Sequence, residues 1–144
     1  MRTNKRAVGI ILKDNKILLM RRVRNGRHYI VFPGGGVEEG ESVEEALVRE
    51  MNEEFCIDVK IDSFLYEMKI GENPADPGRS SHYYIIKEFT GDPVLGGEEK
   101  DRMSENDQFY PHWIDLKDIE KTENLYPEVA RKFLVDYLKK QSVI

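Results

Sequence analysis

Apolar and polar positions follow one another along this chain in patterns that predict both strands and helices. Runs rich in β-branched, aromatic and other apolar residues, which favour strands, occupy residues 6–13, 16–23, 29–32, 59–70, 82–89 and 109–115. The Asp14-Asn15 pair between the first two runs suits a hairpin turn. Three consecutive glycines follow Pro33, and they predict a loop at residues 34–36 that turns sharply or approaches another group closely.

Two segments have the periodicity of amphipathic helices. Ser42 and Glu45 form the S-x-x-E pattern of a capping box, and apolar residues then recur at i, i+4 and i+8 as far as about residue 55. A last helix is predicted over residues 127–140, because proline suits a first helical turn. Its inward-facing side chains are predicted to be Val129, Phe133, Leu134 and Tyr137. A sheet with at least two packed helices predicts an α/β fold.

Length and composition narrow the class of protein. The 144 residues fit one domain, 1–144, that can bury a core without disulfides. Cys56 is the single cysteine, so an internal disulfide framework is excluded and a reducing cytoplasm is the predicted location. No apolar stretch approaches the roughly 20 residues of a membrane helix, so no membrane partner is predicted. The apolar run near the N-terminus is too short for a secretory signal and is predicted to be a strand.

Charge is distributed unevenly along the chain. The net charge of −5 argues against generic nucleic-acid binding, which needs a basic surface. Residues 15–37 carry five basic side chains and no acidic one, whereas residues 38–54 carry eight glutamates and only Arg49 as a cation. Adjacent basic and acidic blocks suit a site that holds both an anion and metal ions. Two solvated faces that neutralise each other would explain the same charges.

Three glutamates of the first helix share one face. At about 100° per residue, Glu50, Glu53 and Glu54 fall within roughly a 100° arc. Like charges at these spacings repel, and a divalent cation among them would turn the repulsion into attraction. Carboxylate oxygens suit Mg²⁺ or Mn²⁺ better than zinc. A solvated acidic helix face is the alternative explanation.

The spacing around this face is more specific. Five residues separate Gly35 from Glu41, seven separate Glu41 from Arg49, and residues 50–57 are EMNEEFCI. With the preceding Phe32-Pro33-Gly34, this segment resembles the Nudix box, G-x5-E-x7-R-E-U-x-E-E-x-G-U, where U is bulky and aliphatic. The matching residues are Gly35, Glu41, Arg49, Glu50, Met51, Glu53, Glu54 and Ile57. The resemblance implies a Nudix-like α/β/α sandwich with a mixed central sheet.

The resemblance also implies roles for the site residues. Glu50 and Glu54 would be the principal ligands of Mg²⁺ (or Mn²⁺), and Glu53 a further ligand or the base that activates water. The Gly34 carbonyl would complete the metal shell, while Arg49 and Glu41 would pair and orient the carboxylates. Nudix enzymes often add a carboxylate from a distal loop. The acidic segment before Trp113 offers Glu98, Glu99 and Glu105, of which Glu99 is chosen, with solvated charge as the alternative for each.

The implied reaction is Mg-dependent hydrolysis of a phosphoanhydride bond in a nucleoside diphosphate-X or nucleoside triphosphate substrate. The partner is then a small nucleotide, and a homodimer is possible. Arginines can clamp the remaining phosphate oxygens, and the candidates are Arg22, Arg24 and Arg27. Strand alternation predicts that Arg22 and Arg24 share one face and that Arg21 lies on the other.

Cys56 stands where the family has glycine. That position follows the helix and often requires a left-handed backbone, which costs a non-glycine residue on the order of 1–2 kcal/mol. Because no basic residue or second cysteine lies nearby in sequence to activate a thiolate, Cys56 is predicted to be a small packed residue.

Two functions other than hydrolysis occur on the same fold. A non-catalytic nucleotide-binding module on the same fold remains the alternative, although such modules often lose box glutamates and none is lost here. Isoprenoid diphosphate isomerases share the fold but use a cysteine outside the box, and the only cysteine here lies inside it.

Overall fold

The computed structural model describes residues 2–94, 103–104, 106–142 and 144. Its strands are β1 (Arg2–Lys13), β2 (Lys16–Arg24), β3 (Arg27–Val31), β4 (Gly34–Glu38), β5 (Asp58–Met68), β6 (Ser80–Thr90), β7 (Asp107–Asp115) and β8 (Leu125–Tyr126). The helices are α1 (Val43–Phe55), a 3-10 helix (Leu116–Lys121) and α2 (Glu128–Lys140). Every predicted strand and helix is present. The hairpin turn at Asp14-Asn15 is confirmed too, since both residues have positive φ.

The sheet is mixed because β1 has both parallel and antiparallel neighbours. One edge of β1 pairs in parallel with β6, which is antiparallel to β5. The other edge pairs with β4 over its first half and with β2 at residues 11–13, antiparallel in both cases. Strand β2 continues the sheet antiparallel to β3 and to β7, and β8 lies parallel to β3. The sheet therefore divides beside β1 into a β1/β4 arm and a β2/β3 arm.

Each face of the sheet has its own core. On one face, Ala7 and Ile11 of β1 pack with the buried side of α1. On the other, Val8 and Ile10 pack with α2 and the 3-10 helix. Since successive side chains of a strand point to opposite faces, a near-continuous apolar strand requires cover on both sides. The predicted α/β/α sandwich with a mixed central sheet is confirmed.

The prediction for residues 34–36 is wrong in one respect. They form the start of β4, paired with β1, rather than a loop. The close approach expected of glycine is present, because a Cβ on Gly34 would lie 2.2 Å from the Ala7 carbonyl oxygen. Only a residue without a side chain can pair with β1 at that distance.

The buried face of α2 differs from the predicted one. Val129 and Phe133 are each 40% exposed, whereas Leu134 is fully buried and Tyr137 packs at the edge of the core. The buried stripe consists of Ala130, Leu134, Val135 and Leu138. The Phe133 ring stacks on Tyr66 of β5 at a centroid distance of 3.8 Å, so an aromatic contact outside the helix accounts for its apolar character.

Neither helix approaches membrane-spanning length. Both α1 and α2 have 13 residues, against roughly 20 needed to cross a bilayer. Within the described ranges, no helix combines the length and apolarity of a membrane span.

Candidate active site

The start of α1 is fixed by the predicted capping box. The Ser42 hydroxyl accepts a hydrogen bond from the Glu45 backbone N–H at 3.0 Å, and the Ser42 N–H donates to the Glu45 carboxylate at 2.9 Å. This reciprocal pair sets the rotational phase of the helix. Glu50 and Glu54, one turn apart, then lie on a buried part of α1, with exposures of only 7% and 6%.

Glu50 occupies the space that a side chain at position 35 would need. A Cβ built on Gly35 would lie 2.1 Å from the Glu50 carboxyl carbon, and 2.2 and 2.5 Å from its two oxygens. The carboxylate therefore rests directly on the backbone of β4. The box glycine is explained by this contact rather than by backbone conformation, because Gly35 is not among the positive-φ residues.

Arg49 organises the glutamates around it. Its Nε and one terminal nitrogen donate to both Glu41 oxygens at 2.8 and 2.9 Å, a bidentate pair. The other terminal nitrogen donates to Glu50 at 2.9 Å and to Glu53 at 3.2 Å. A further bond reaches the Gly36 carbonyl at 3.0 Å. The orienting contacts expected of Arg49 and Glu41 are thus present in the geometry.

These contacts shift two pKa values. The hydrogen bond from Arg49 is the main reason that the pKa of Glu41 falls to about 2. The same bond is the largest of the effects that raise the pKa of the Arg49 guanidinium. Both groups are therefore charged across the physiological pH range, so the ion pair between Arg49 and Glu41 persists throughout it.

The three box glutamates are not equivalent. Glu50 and Glu54 line a cleft of about 430 Å³, whereas Glu53 is absent from its lining and its side chain is 54% exposed. No group of three or more acidic, histidine or cysteine side chains within the described ranges is close enough to hold a metal ion. Mg²⁺ commonly uses one or two carboxylates, with water and substrate phosphates completing its shell. The buried pair Glu50 and Glu54 fits that donor set.

The cleft is formed by both arms of the sheet. Its lining residues are Arg6, Met20, Arg22, Arg24, Val31, Phe32, Gly34, Gly35, Gly36, Glu50, Glu54, Arg79, Asp107 and Phe109. The cleft is therefore lined by arginines, carboxylates, glycine backbone and two aromatic rings. Gly34, predicted as a carbonyl ligand, is part of this wall.

The arginines of the second strand separate as their alternation predicts. Arg22 and Arg24 line the cleft, while the Arg21 guanidinium lies 5.1 Å from the Tyr110 ring, outside the lining. Arg27 is exposed, and its guanidinium lies over the Tyr29 ring at 5.6 Å. The structure therefore brings two of the three predicted substrate arginines to the carboxylates and leaves Arg27 outside.

Asp107 holds the two cleft arginines together. Its carboxylate oxygens lie 3.2 Å from Arg22 and 3.5 Å from Arg24. One carboxylate thus faces two guanidinium groups, which leaves net positive charge in this part of the cleft. The buried Nε of Arg22 has no hydrogen-bond acceptor among the described residues.

Sequence reasoning missed Arg6, Arg79 and Asp107. Arg6 stands inside an otherwise apolar strand, which is a weak signal of function, and nothing in the local sequence marks the other two. The proposed distal carboxylate Glu99, with Glu98 and Glu105, lies outside the described residues. Its assignment stays a prediction.

Cys56 ends α1 in the left-handed conformation expected at the box glycine, with φ 58° and ψ 35°. Its backbone N–H donates to the Asn52 carbonyl at 2.9 Å, so the helix end is preserved. The prediction of a packed side chain is wrong, because Cys56 is exposed. The helix terminates at the surface, and the left-handed backbone turns the thiol away from both cores.

Comparison with known proteins gives a consistent result. The family model described as NUDIX domain matches residues 3–137. An ADP-ribose pyrophosphatase of Methanocaldococcus jannaschii is 34% identical over 127 residues, covering 88% of this chain and 70% of that protein. An 8-oxo-dGTP diphosphatase of Haemophilus influenzae is 37% identical over 91 residues, covering 60% and 65% respectively.

The solved structures agree at the level of the fold. A structure from a study of MutT from Aliivibrio salmonicida and Vibrio cholerae superposes with a TM-score of 0.68 at 26% identity, covering 94% of this chain and 96% of the other. An ADP compounds hydrolase superposes with a TM-score of 0.71 at 19% identity, covering 99% of this chain and 77% of the other, and supports the fold alone. These matches show that the chain belongs to the NUDIX domain family and is a Nudix-type pyrophosphohydrolase.

Proposed function

We propose that residues 1–144 form a single Nudix hydrolase domain whose reaction depends on Mg²⁺ or Mn²⁺. The reaction is hydrolysis of a phosphoanhydride bond in a nucleoside diphosphate-X or nucleoside triphosphate substrate. The observation that carries this proposal is the cleft itself. Buried Glu50 and Glu54 lie in the same depression as Arg22 and Arg24, so sites for cations and for an anion are adjacent.

Glu50 and Glu54 would hold the metal, with the Gly34 carbonyl as a further ligand. Both carboxylates are buried and line the same cleft, and carboxylate oxygens are ligands that Mg²⁺ takes in proteins. When bound, Mg²⁺ neutralises phosphate charge and lowers the pKa of a coordinated water. Arg49 would orient Glu50 through the 2.9 Å hydrogen bond that it donates to that carboxylate. The position of Arg49 is in turn fixed by its hydrogen bond to Glu41.

Glu53 is proposed as a further ligand or as the base that activates water. Its side chain is 54% exposed and lies 3.2 Å from Arg49, so core packing does not fix its orientation. Arg22 and Arg24 would bind phosphoryl oxygens with their guanidinium groups in the cleft. Phe32 and Phe109 line the same cleft but are only 4% and 3% exposed, so they shape its wall as core residues.

The names of the relatives support a nucleotide substrate, but they name different nucleotides. One is named for ADP-ribose and another for 8-oxo-dGTP, so both subclasses, a nucleoside diphosphate joined to a second group and a nucleoside triphosphate, belong in the first assay. Wild-type protein would be incubated with ADP-ribose, dinucleoside polyphosphates and a triphosphate panel across a magnesium titration. We expect turnover that requires the metal and is abolished by EDTA.

Variants of the box glutamates test the residue assignments. Glu54→Gln and Glu53→Gln are each expected to lower kcat by on the order of 100-fold or more while the circular dichroism spectrum is unchanged. Glu39→Gln, at an exposed glutamate just before α1, is the matched control and should keep wild-type turnover. If either box variant retained the wild-type rate in magnesium, the role of that residue would be wrong. Nucleotide binding without turnover in the wild type would instead support the non-catalytic module.

Two further expectations accompany this proposal. The small nucleotide is the proposed partner, and the possible homodimer is a prediction that sedimentation equilibrium tests directly. The cytoplasmic location also stays a prediction, for which fractionation of the producing cells is the measurement.

A further inference from the structure

Arg6 is a half-buried charged residue of β1, between the exposed Lys5 and the buried Ala7. It pairs with Gly36 of β4 on one side and with Ser81 of β6 on the other, and it lines the cleft. Its neighbours in β1, Ala7 and Val8, are fully buried core residues. A guanidinium at such a position is costly to bury unless something in the cleft compensates it.

A second guanidinium lies beside it. Arg79, the residue immediately before β6, also lines the cleft. Burial lowers the pKa of Arg6, and the charge of Arg79 lowers it further, against the opposing effects of Tyr83, Glu54 and Asp76. Two like charges therefore face one another at this edge of the depression.

The two arginines differ in how they are neutralised. The Arg79 Nε donates to the Asp76 carboxylate at 2.8 Å. Between Arg6 and the other described residues, no side-chain hydrogen bond or close ion pair is found, and Glu54 acts on it only through its charge. Asp76 and Glu54 also act on Arg6 through their charges, but the Asp76 carboxylate makes its hydrogen bond to Arg79.

We propose that Arg6 and Arg79 bind an oxyanion of the substrate, namely one phosphoryl group of its diphosphate. This inference rests on the proposed function. Arg22 and Arg24 come from β2, whereas Arg6 and Arg79 come from β1 and the start of β6. The cleft therefore holds two separate cationic pairs, and a diphosphate has two phosphoryl groups. An anion between Arg6 and Arg79 converts their repulsion into attraction and gives the guanidinium of Arg6 its hydrogen-bond acceptors.

Binding of a non-reacting diphosphate tests this assignment separately from turnover. Imidodiphosphate, whose P–N–P bridge resists hydrolysis, would be titrated calorimetrically in magnesium into the wild type, Arg6→Gln and Arg6→Lys. We expect Arg6→Gln to weaken binding on the order of 10- to 100-fold, the range for loss of a charge-assisted hydrogen bond, and Arg6→Lys to restore part of it. Lys5→Gln removes one positive charge at the exposed neighbour of Arg6 and should bind as the wild type does.

Thermal stability distinguishes ligand binding from a structural role. Because the surroundings of Arg6 disfavour its charge, ligand-free Arg6→Gln should melt no lower than Lys5→Gln. A lower melting temperature with unchanged affinity for imidodiphosphate would make Arg6 structural and overturn the proposal.

The two proposals fail in different ways. If the wild type hydrolyses nucleotides and Arg6→Gln binds imidodiphosphate as tightly as the wild type, the Arg6 site is wrong and the proposed function stands. If the wild type hydrolyses no nucleotide while Arg6→Gln loses imidodiphosphate affinity, the proposed function is wrong and the oxyanion site stands.

Discussion

Replacing Gly35 by alanine is a small change with a specific target. The added Cβ would lie 2.1 Å from the carboxyl carbon of Glu50, where carbon atoms normally keep about 3.5–4.0 Å. Backbone conformation is not the obstacle, since Gly35 does not have positive φ. The Glu50 carboxylate must therefore move by more than about 1 Å, or β4 must shift away from β1.

The expected cost follows from what Glu50 would lose. Its 2.9 Å bond from Arg49 is charge-assisted, and such bonds contribute about 1.5–3 kcal/mol. Alanine in place of glycine restricts the unfolded chain and returns about 0.4–1 kcal/mol. A net destabilisation of about 1–2 kcal/mol is expected. Because Glu50 is the proposed metal ligand, displacing its carboxylate by about 1 Å should lower kcat on the order of 100-fold.

Urea denaturation and steady-state kinetics in magnesium measure the two effects. Gly78→Ala is the matched control, because a Cβ at Gly78 would meet nothing within 4 Å and its φ is not positive. That variant should keep the turnover of the wild type and gain about 0.4–1 kcal/mol of stability. In a Glu50→Asp background the shorter side chain leaves room for the Cβ, so Gly35→Ala should cost less stability there.

Two outcomes would refute this reasoning. Turnover by Gly35→Ala at the rate of Gly78→Ala would mean that the position of Glu50 against β4 does not matter for catalysis. If Gly35→Ala cost the same stability in the wild type and in the Glu50→Asp background, the clash with this carboxylate would not be its cause.

Two further predictions concern the ends of the box helix. The pKa of Glu41 is lowered from 4.5 to about 2 by Arg49, so its stabilising contribution is complete above about pH 4.5 and is lost as the pH falls toward 2. Glu41→Gln should therefore lower the free energy of unfolding at pH 7 and flatten its decline between pH 4.5 and 2; an equally steep decline in both proteins would contradict the pairing. Cys56→Gly should raise the free energy of unfolding by about 0.5–1 kcal/mol in reducing buffer, since glycine adopts the left-handed conformation without strain and offsets part of that gain by its entropy. A decrease in denaturant midpoint would show that Cys56 is not strained.

Much of the catalytic helix could be predicted because its geometry is local. A capping box within four residues fixes where α1 begins, and 3.6 residues per turn then place Glu50 and Glu54 on the same side. Even the strain at Cys56 follows from its position just past the helix. What spacing could not decide is that Glu53 lies outside the cleft, since a small rotation about the helix axis separates buried from exposed neighbours.

Two of the errors in the prediction share one cause. Residues 34–36 are glycines in a strand because β1 passes close to them, and Phe133 is half-exposed because Tyr66 provides a stacking partner on β5. In each case the partner lies more than 25 positions away in the sequence. Propensity and period describe the chain only over a few residues, and tertiary contacts override them.

By itself the sequence determined the class of fold, the order of elements and the spacing of the box residues, because backbone hydrogen bonding and helical periodicity act over short distances. Only the tertiary structure decided which arginines lie in the cleft with the carboxylates of Glu50 and Glu54. Asp107 joins Arg22 across 85 positions of sequence, and β6 brings Arg79 beside Arg6. Those contacts depend on which strands pair, and strand pairing is settled by burial of both sheet faces over the whole chain rather than by any local pattern.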